Sequence, residues 1–226
     1  MDRLINLDNP VFYALNQDHA HFQIGDKNTK FYLPEICPFG ATEDGKVCQN
    51  LEEIITHHEP FFLFGGDRHE YKNFEYFKEV KCMQMVCKHA LPVQINSEII
   101  EIKNHKTQKD LIALVQLMQP GYFREGTLHM GNYFGIYVEG KLVAAAGERI
   151  KLNGMTEISA VVTHHEYGGR GYAKELMSYL LNKIFGEDRI AFLHVLETNG
   201  HAISIYEKLG FAKRRTISLH LYQRKN

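Results

Sequence analysis

Excess charge of either sign is missing from this chain: 26 Lys and Arg against 27 Asp and Glu leave a formal net charge of −1. A nucleic-acid or anionic-membrane partner is not expected of it, because both call for a basic excess. Long apolar runs are missing as well. No stretch is long enough to span a bilayer, and Met1-Asp2-Arg3-Leu4-Ile5-Asn6 does not read as a signal peptide. Cysteine is scarce and confined to the first half, as Cys37, Cys48, Cys82 and Cys87, at spacings that match no zinc pattern. No metal is therefore expected, and reduced thiols in a cytoplasmic setting are. Internal repeats and low-complexity tracts are absent. What remains, 44% hydrophobic and 23% charged over 226 residues, is ordinary for a soluble globular protein of one large or two small domains.

The informative stretch runs from Thr156 to Phe211. Thr156 to Thr163 is apolar and β-branched enough for a buried strand. Three glycines follow, Gly168, Gly169 and Gly171, where the pattern changes from strand to helix. The helix would place Ala173, Leu176, Met177, Leu180, Leu181 and Ile184 on one face. Strand, glycine turn and helix N-terminus aim unpaired N–H groups and the positive end of a helix dipole at one spot, which suits a phosphate. A P-loop would need Gly-Lys-Ser/Thr, but Gly171 is followed by Tyr172-Ala173. A dinucleotide fingerprint would need a glycine where Lys174 stands. Both readings fail.

Downstream lie a second apolar strand, Ile190 to Leu196, then Asn199, Tyr206 and Glu207-Lys208-Leu209-Gly210-Phe211. With these the sequence resembles the GNAT superfamily of acyl-CoA-dependent N-acetyltransferases. The superfamily's pyrophosphate pattern, Gln/Arg-x-x-Gly-x-Gly/Ala, falls on Gly168-Gly169-Arg170-Gly171-Tyr172-Ala173. One position departs from it: Gly168 stands where Gln or Arg is usual, which removes a side chain but no backbone donor. The resemblance covers residues 97 to 226. It implies an α/β GNAT fold, a central mixed and mostly antiparallel twisted sheet with flanking helices, in the order strand, helix, three strands, helix, strand, helix, strand.

The pattern after residue 97 agrees with that order. Ile99 to Ile102 reads as a strand and Gln108 to Gln119 as a helix stopped by Pro120-Gly121. Phe123 to Gly131 reads as a mobile loop or short helix. Tyr133 to Val138 and Lys141 to Ile150 read as a hairpin, and Arg215 to Tyr222 as the last strand. Residues 1 to 96 read as a smaller, divergent α/β region that shapes the cleft, joined through Ala90-Leu91-Pro92. In it, Val11 to Gln17 and Asn50 to His58 read as helices. Lys30 to Leu33, Phe61 to Phe64 and Cys82 to Cys87 read as strands, and Pro34 to Gly45 as loop. The layout resembles the glycine N-acyltransferase-like branch of the superfamily.

An amine attacks a thioester only when neutral, and the departing thiolate benefits from a proton donor. The resemblance assigns the donor to Tyr206 and the base to Glu157. Asn199 would bind the pantetheine arm or cap the last helix. The backbone of Val161, Val162 and Thr163 would pair with pantetheine as an added strand. His164 and His165 are alternative bases, and Glu148, Tyr122, Arg124 and Glu125 are candidates for acceptor contact. The expected activity is direct transfer of an acetyl group from acetyl-CoA to a small-molecule or peptide amine, without a covalent acyl-enzyme. A catalytically inactive CoA-binding or regulatory protein, and a transferase for a longer acyl group, are the alternatives. The sequence is silent on acceptor identity and on oligomeric state.

Overall fold

The computed structural model describes residues 4–225. In chain order the strands are β1 (Gln23–Gly25), β2 (Thr29–Tyr32), β3 (Phe39–Thr42), β4 (Phe61–Phe64), β5 (Phe74–Cys87), β6 (Ile100–Glu101), β7 (Tyr133–Val138), β8 (Lys141–Leu152), β9 (Met155–Thr163), β10 (Ile190–Leu196) and β11 (Ala212–Arg224). The helices are α1 (Pro10–Asn16), α2 (Leu51–Ile54), α3 (His105–Met118), α4 (Tyr172–Gly186) and α5 (Gly200–Lys208). All the strands join one 11-stranded sheet in the order β1-β2-β3-β4-β11-β5-β10-β9-β8-β7-β6. Most neighbours are antiparallel; β3 with β4 and β9 with β10 are parallel.

Local chemistry sets the ends of these elements. Asn104 opens α3 by accepting from the Thr107 N–H at 3.0 Å, and the helix stops just before Pro120. The β7–β8 hairpin turns on Glu139 and Gly140, both at positive φ (51° and 78°), which suits the right-handed twist of the strands. Along α4, Leu176, Met177, Leu180, Leu181 and Ile184 have no exposed surface. They pack on Phe134, Ile136, Ala191 and Leu193 from one face of the sheet. Burial of each such side chain contributes about 1.5–3 kcal/mol. On the other face, Leu111, Leu114 and Val115 of α3 cover Ala145, Ala160 and Val162. Beside them α1 buries Val11, Ala14 and Leu15 against Ile150, Leu152 and Phe192. No helix among the described residues is long and apolar enough to cross a membrane.

The later half follows the expected order element for element, with Phe123 to Gly131 taken up by a short 3₁₀ helix, Glu125–His129. The earlier half departs in three places. Asn50 does not cap a long helix: its amide donates to Asp26 at 2.8 Å, and the helix ends after Ile54, where Ile55 turns extended. The stretch read as loop contains β3, with Gly40 there because a Cβ would lie 2.1 Å from the Phe31 ring. The strand expected over Cys82 to Cys87 begins at Phe74. Its charged first half alternates with half-buried residues and pairs with β11 over its whole length.

That strand also bears on the boundary expected near residue 96. β5 lies between β11 and β10, so the earlier region supplies an interior strand to the sheet of the later one. A fragment of residues 97–226 would leave β11 without a partner on either edge and β10 without one on its β5 side. Expressed alone, it should show no cooperative thermal transition by circular dichroism. A fragment melting near the full chain's midpoint would establish two independent units.

Candidate active site

Parallel strands β9 and β10 pair only from Met155 to Glu157 against Ile190 to Phe192. Beyond that they part, because β8 carries β9 on to Thr163 while β5 carries β10 on to Leu196. A bulge bends β9 at the same level. Ala160 and Val161 fall between the pairs Gly147↔Ser159 and Ala145↔Val162, and Ala160 takes a φ of 51°. A residue with a β-carbon adopts that φ uncommonly, and bulges of this kind re-aim a strand next to sites. The outcome is a wedge in which β9 from Ile158 onward has no strand partner on its β10 side. Val161, Val162 and Thr163 lie on this stretch, where an extended ligand could add as a strand. Gln119 reaches the Val161 carbonyl at 3.5 Å.

After Thr163 the chain makes a short 3₁₀ turn, His165–Tyr167, and enters the glycine loop. Gly168 is extended (φ −62°), a conformation open to any residue, whereas Gly169 and Gly171 have φ of 76° and 90°. Gly171 stands at the N-cap of α4 and offers no side chain to it. The contrast with α3 and α5 is informative. Asn104 and Asn199 cap those helices, the latter accepting from the Ala202 N–H at 3.1 Å. The first N–H groups of α4 have no such acceptor and point, with Tyr172 and Ala173, into the turn. Arg170 is exposed and stacks over the Tyr167 ring at 4.9 Å.

A cavity of about 490 Å³ fills the wedge. Its walls are Ile158 to Val161, Leu193 to Leu196, Asn199 and Tyr206, with Phe39, Phe62, Phe64, Val80 and Cys82 from the earlier region. Burial pushes the Tyr206 phenol up to about 12, so it keeps its proton near neutrality. Its hydroxyl has no hydrogen-bond partner among the described residues. Cys82 of the earlier region is the one cysteine in this wall; removal from water raises its thiol to about 11, and it stays protonated near neutrality.

Glu157 is brought to the root of the wedge, but not as an available base. It has no exposed surface, and it is absent from the cavity wall. Arg149 holds it bidentately (Nε to Oε2 2.8 Å, Nη2 to Oε1 2.7 Å), and His194 Nδ1 lies 2.8 Å from Oε1. Burial alone would raise its pKa; the Arg149 charge and hydrogen bonds and the His194 contact outweigh that and hold it at about 2. A carboxylate so stabilised accepts a proton poorly near neutrality. Gln84 continues the network: its amide nitrogen reaches His194 Nε2 (3.0 Å) and the Leu7 carbonyl (2.8 Å), and its oxygen accepts from Arg214 at 2.8 Å.

The other candidates disperse. Buried His164 lies 3.1 Å from Lys141 Nζ and stacks on exposed His165; desolvation, Lys141 and His165 lower its pKa. Glu148 is buried on Lys151 (2.8 Å) and the Asn132 amides, away from the cavity. Arg124 bonds Pro34 and Glu59, while Glu125 opens the 3₁₀ helix. Tyr122 alone of that group reaches the wall, edge-on to Phe62 at 4.9 Å. Sequence reading missed Arg149 and His194. His194 is the lone polar residue of an otherwise apolar strand, and that was the available signal; Arg149 stands between Glu148 and Lys151 on β8 and gave none.

Comparison with known proteins follows the same lines. The FR47-like protein family model matches residues 133–219. No curated protein matches the chain. A candidate acetyltransferase of the GNAT family from Novosphingobium aromaticivorans superposes with a TM-score of 0.89 at 25% identity, covering 97% of this chain and 99% of that one. A GCN5-related N-acetyltransferase-like protein from Streptococcus suis gives 0.63 at 15% identity, covering 99% and 97%. A GCN5-related N-acetyltransferase from Kribbella flavida gives 0.62 at 13%, covering 96% of each. The last two share the fold alone. The glycine N-acyltransferase-like branch receives no specific support.

Glu157→Gln should therefore destabilise the protein by about 3–5 kcal/mol, the usual effect of stranding one member of a buried ion pair. In the wild type, a folded-state pKa below the unfolded value gives stability that is full above about pH 4.5. It is lost as pH falls toward about 2. Urea melts across that range check both. A neutral Glu157→Gln variant whose rate profile merely loses its acidic limb would restore the carboxylate as base.

Proposed function

We propose, from the GNAT-superfamily fold of this chain, that it is an acetyl-CoA-dependent N-acetyltransferase acting on an amine by direct attack in a ternary complex. The observation that carries this is the wedge. One opening joins an unpartnered strand edge and a protonated phenol, and the same strand runs on through Thr163 toward a helix N-terminus without a side-chain cap.

The residues fit the donor. A Cβ placed on Gly169 or Gly171 would meet nothing within 4 Å, so the space over the loop is open for a pyrophosphate. Backbone N–H groups from Gly168 to Ala173 would hold it, aided by the α4 dipole and by Arg170. Val161, Val162 and Thr163 would hold the pantetheine amides, and Asn199 combines its cap with the cavity wall. Acetyl-CoA, when bound, supplies the acyl thioester. Tyr206 retains a proton at its hydroxyl that can pass to a leaving thiolate. Glu157 acts as a positioning residue, fixing the Arg149 and His194 side chains that line the cavity. Among apolar walls and beside a guanidinium, an ammonium group is disfavoured, so an acceptor amine sheds its proton to water on entering. The protonated Cys82 supports direct transfer over an acyl-thioester relay.

A longer acyl group is the second reading, favoured by Phe39, Phe62 and Phe64 in the wall; competition between acyl-CoA chain lengths separates the two. A balanced surface supports neither nucleic acid nor membrane as partner, and four free cysteines support a cytoplasmic setting.

Calorimetric titration should give micromolar acetyl-CoA binding in the wild type. Gly171→Glu, which adds both a strained φ and a negative charge, should abolish it. Tyr206→Phe should bind normally and lose about 10²-fold in kcat, a usual share for a general acid. Unimpaired turnover in Tyr206→Phe would reassign the proton donor, and no binding by the wild type would leave an inactive scaffold.

A further inference from the structure

We infer that the acceptor bears a carboxylate on a bulky apolar body, and that Arg149 anchors that carboxylate. The inference rests on the acyltransferase reading and narrows its substrate class.

Arg149 commits only one edge of its guanidinium to the protein. Nε and Nη2 face Glu157, and no hydrogen bond among the described residues takes Nη1. Its side chain keeps 19% exposure and lines the wedge cavity. It also lines an adjoining chamber of about 100 Å³, whose wall includes Ser159, Gln119 and Tyr122. The Nη1–Nη2 edge is therefore a second fork, the geometry that receives a carboxylate bidentately. Half-buried Ser159 shares both cavities and has no hydrogen-bond partner among the described residues. It adds a hydroxyl donor beside that edge.

The opposite charge is missing from the wall. Neither cavity is lined by Asp or Glu, and Glu157 lies wholly buried behind Arg149. A polyamine would bring several cations to a site whose one accessible full charge is positive. The remaining surface, Phe39, Phe62, Phe64 and Tyr122, is aromatic and takes an apolar body. Stacking of the Arg149 guanidinium over Phe39 at 5.0 Å holds the fork rigid, so little ordering is left for the substrate to impose.

The test compares L-phenylalanine with phenethylamine, the same body without the carboxylate, and with spermidine, by CoA release. In parallel, calorimetry compares N-acetyl-L-phenylalanine with N-acetylphenethylamine, with and without CoA. The carboxylated member of each pair should be preferred by ~10-fold or more. Arg149→Lys, which leaves Glu157 a cation but removes the fork, should erase the preference while acetyl-CoA affinity stays unchanged. Equal or reversed preference in the wild type would overturn the inference. A preference that survives in folded Arg149→Lys would do the same. If Arg149→Lys does not fold, the wild-type pairs decide. Failure of the wild type to bind acetyl-CoA would count against the acyltransferase reading alone, since the calorimetric pair without CoA still reads Arg149.

Discussion

A carboxylate with no exposed surface stands where the sheet divides. Glu157 belongs to the last pair that joins β9 to β10, opposite Phe192. Its oxygens tie together three neighbouring strands, through Arg149 on β8 and His194 on β10. Gln84 on β5 and Arg214 on β11 extend the same chain of contacts to Asp8 near the start of the protein. At the buried Glu157 carboxylate water cannot take the place of Arg149 or His194, so that part of the group is stable only if all three are present together. The wedge can open without loosening the sheet because this clamp closes its root.

The clamp explains why the earlier region is not an appendage. β5 contributes Gln84 to the network and also supplies the strand on which β10 leans once it leaves β9. Without β5, β10 would have no neighbour beyond Phe192, and the natural way to satisfy its edge would be to continue along β9. That would close the wedge. The same region carries Phe39, Phe62 and Phe64 into the wall, so the residues that hold the strands apart and those that line the gap are delivered together.

Legibility from sequence divides along the same line. The glycine loop, α4 and α5 were readable because their signals are local: positive-φ glycines, an apolar stripe at helical spacing, an Asn ahead of a helix. The role of β5 was not. Its first half, Phe74 to Lys81, carries Glu75, Lys78, Glu79 and Lys81, and its pairing partner is more than a hundred residues away in β11. The state of Glu157 was invisible for a related reason. Its position on a strand was plain, but the two side chains that fix its charge come from Arg149, across a hairpin with shifted register, and from His194, after the whole of α4.

The two halves of the cavity thus have different origins, and this bears on what each can specify. On the proposed donor side, recognition falls mainly on one continuous segment, Ile158 to Ala173, and would run through backbone groups. Side-chain changes there, such as Gly in place of Gln or Arg at residue 168, leave its donors in place. The proposed acceptor side is assembled from β3, β4, β5, β8 and the loop after α3, and would work through side chains: an aromatic wall, the Ser159 hydroxyl and one free guanidinium edge. A backbone-built donor site is compatible with many sequences, which is why a resemblance carried by the loop can be read locally. An acceptor site built from side chains changes with each substitution in its wall. On the proposed reading, information about the reaction is concentrated between residues 156 and 211, whereas information about the acceptor lies in Arg149 and in what β3 to β5 place around it.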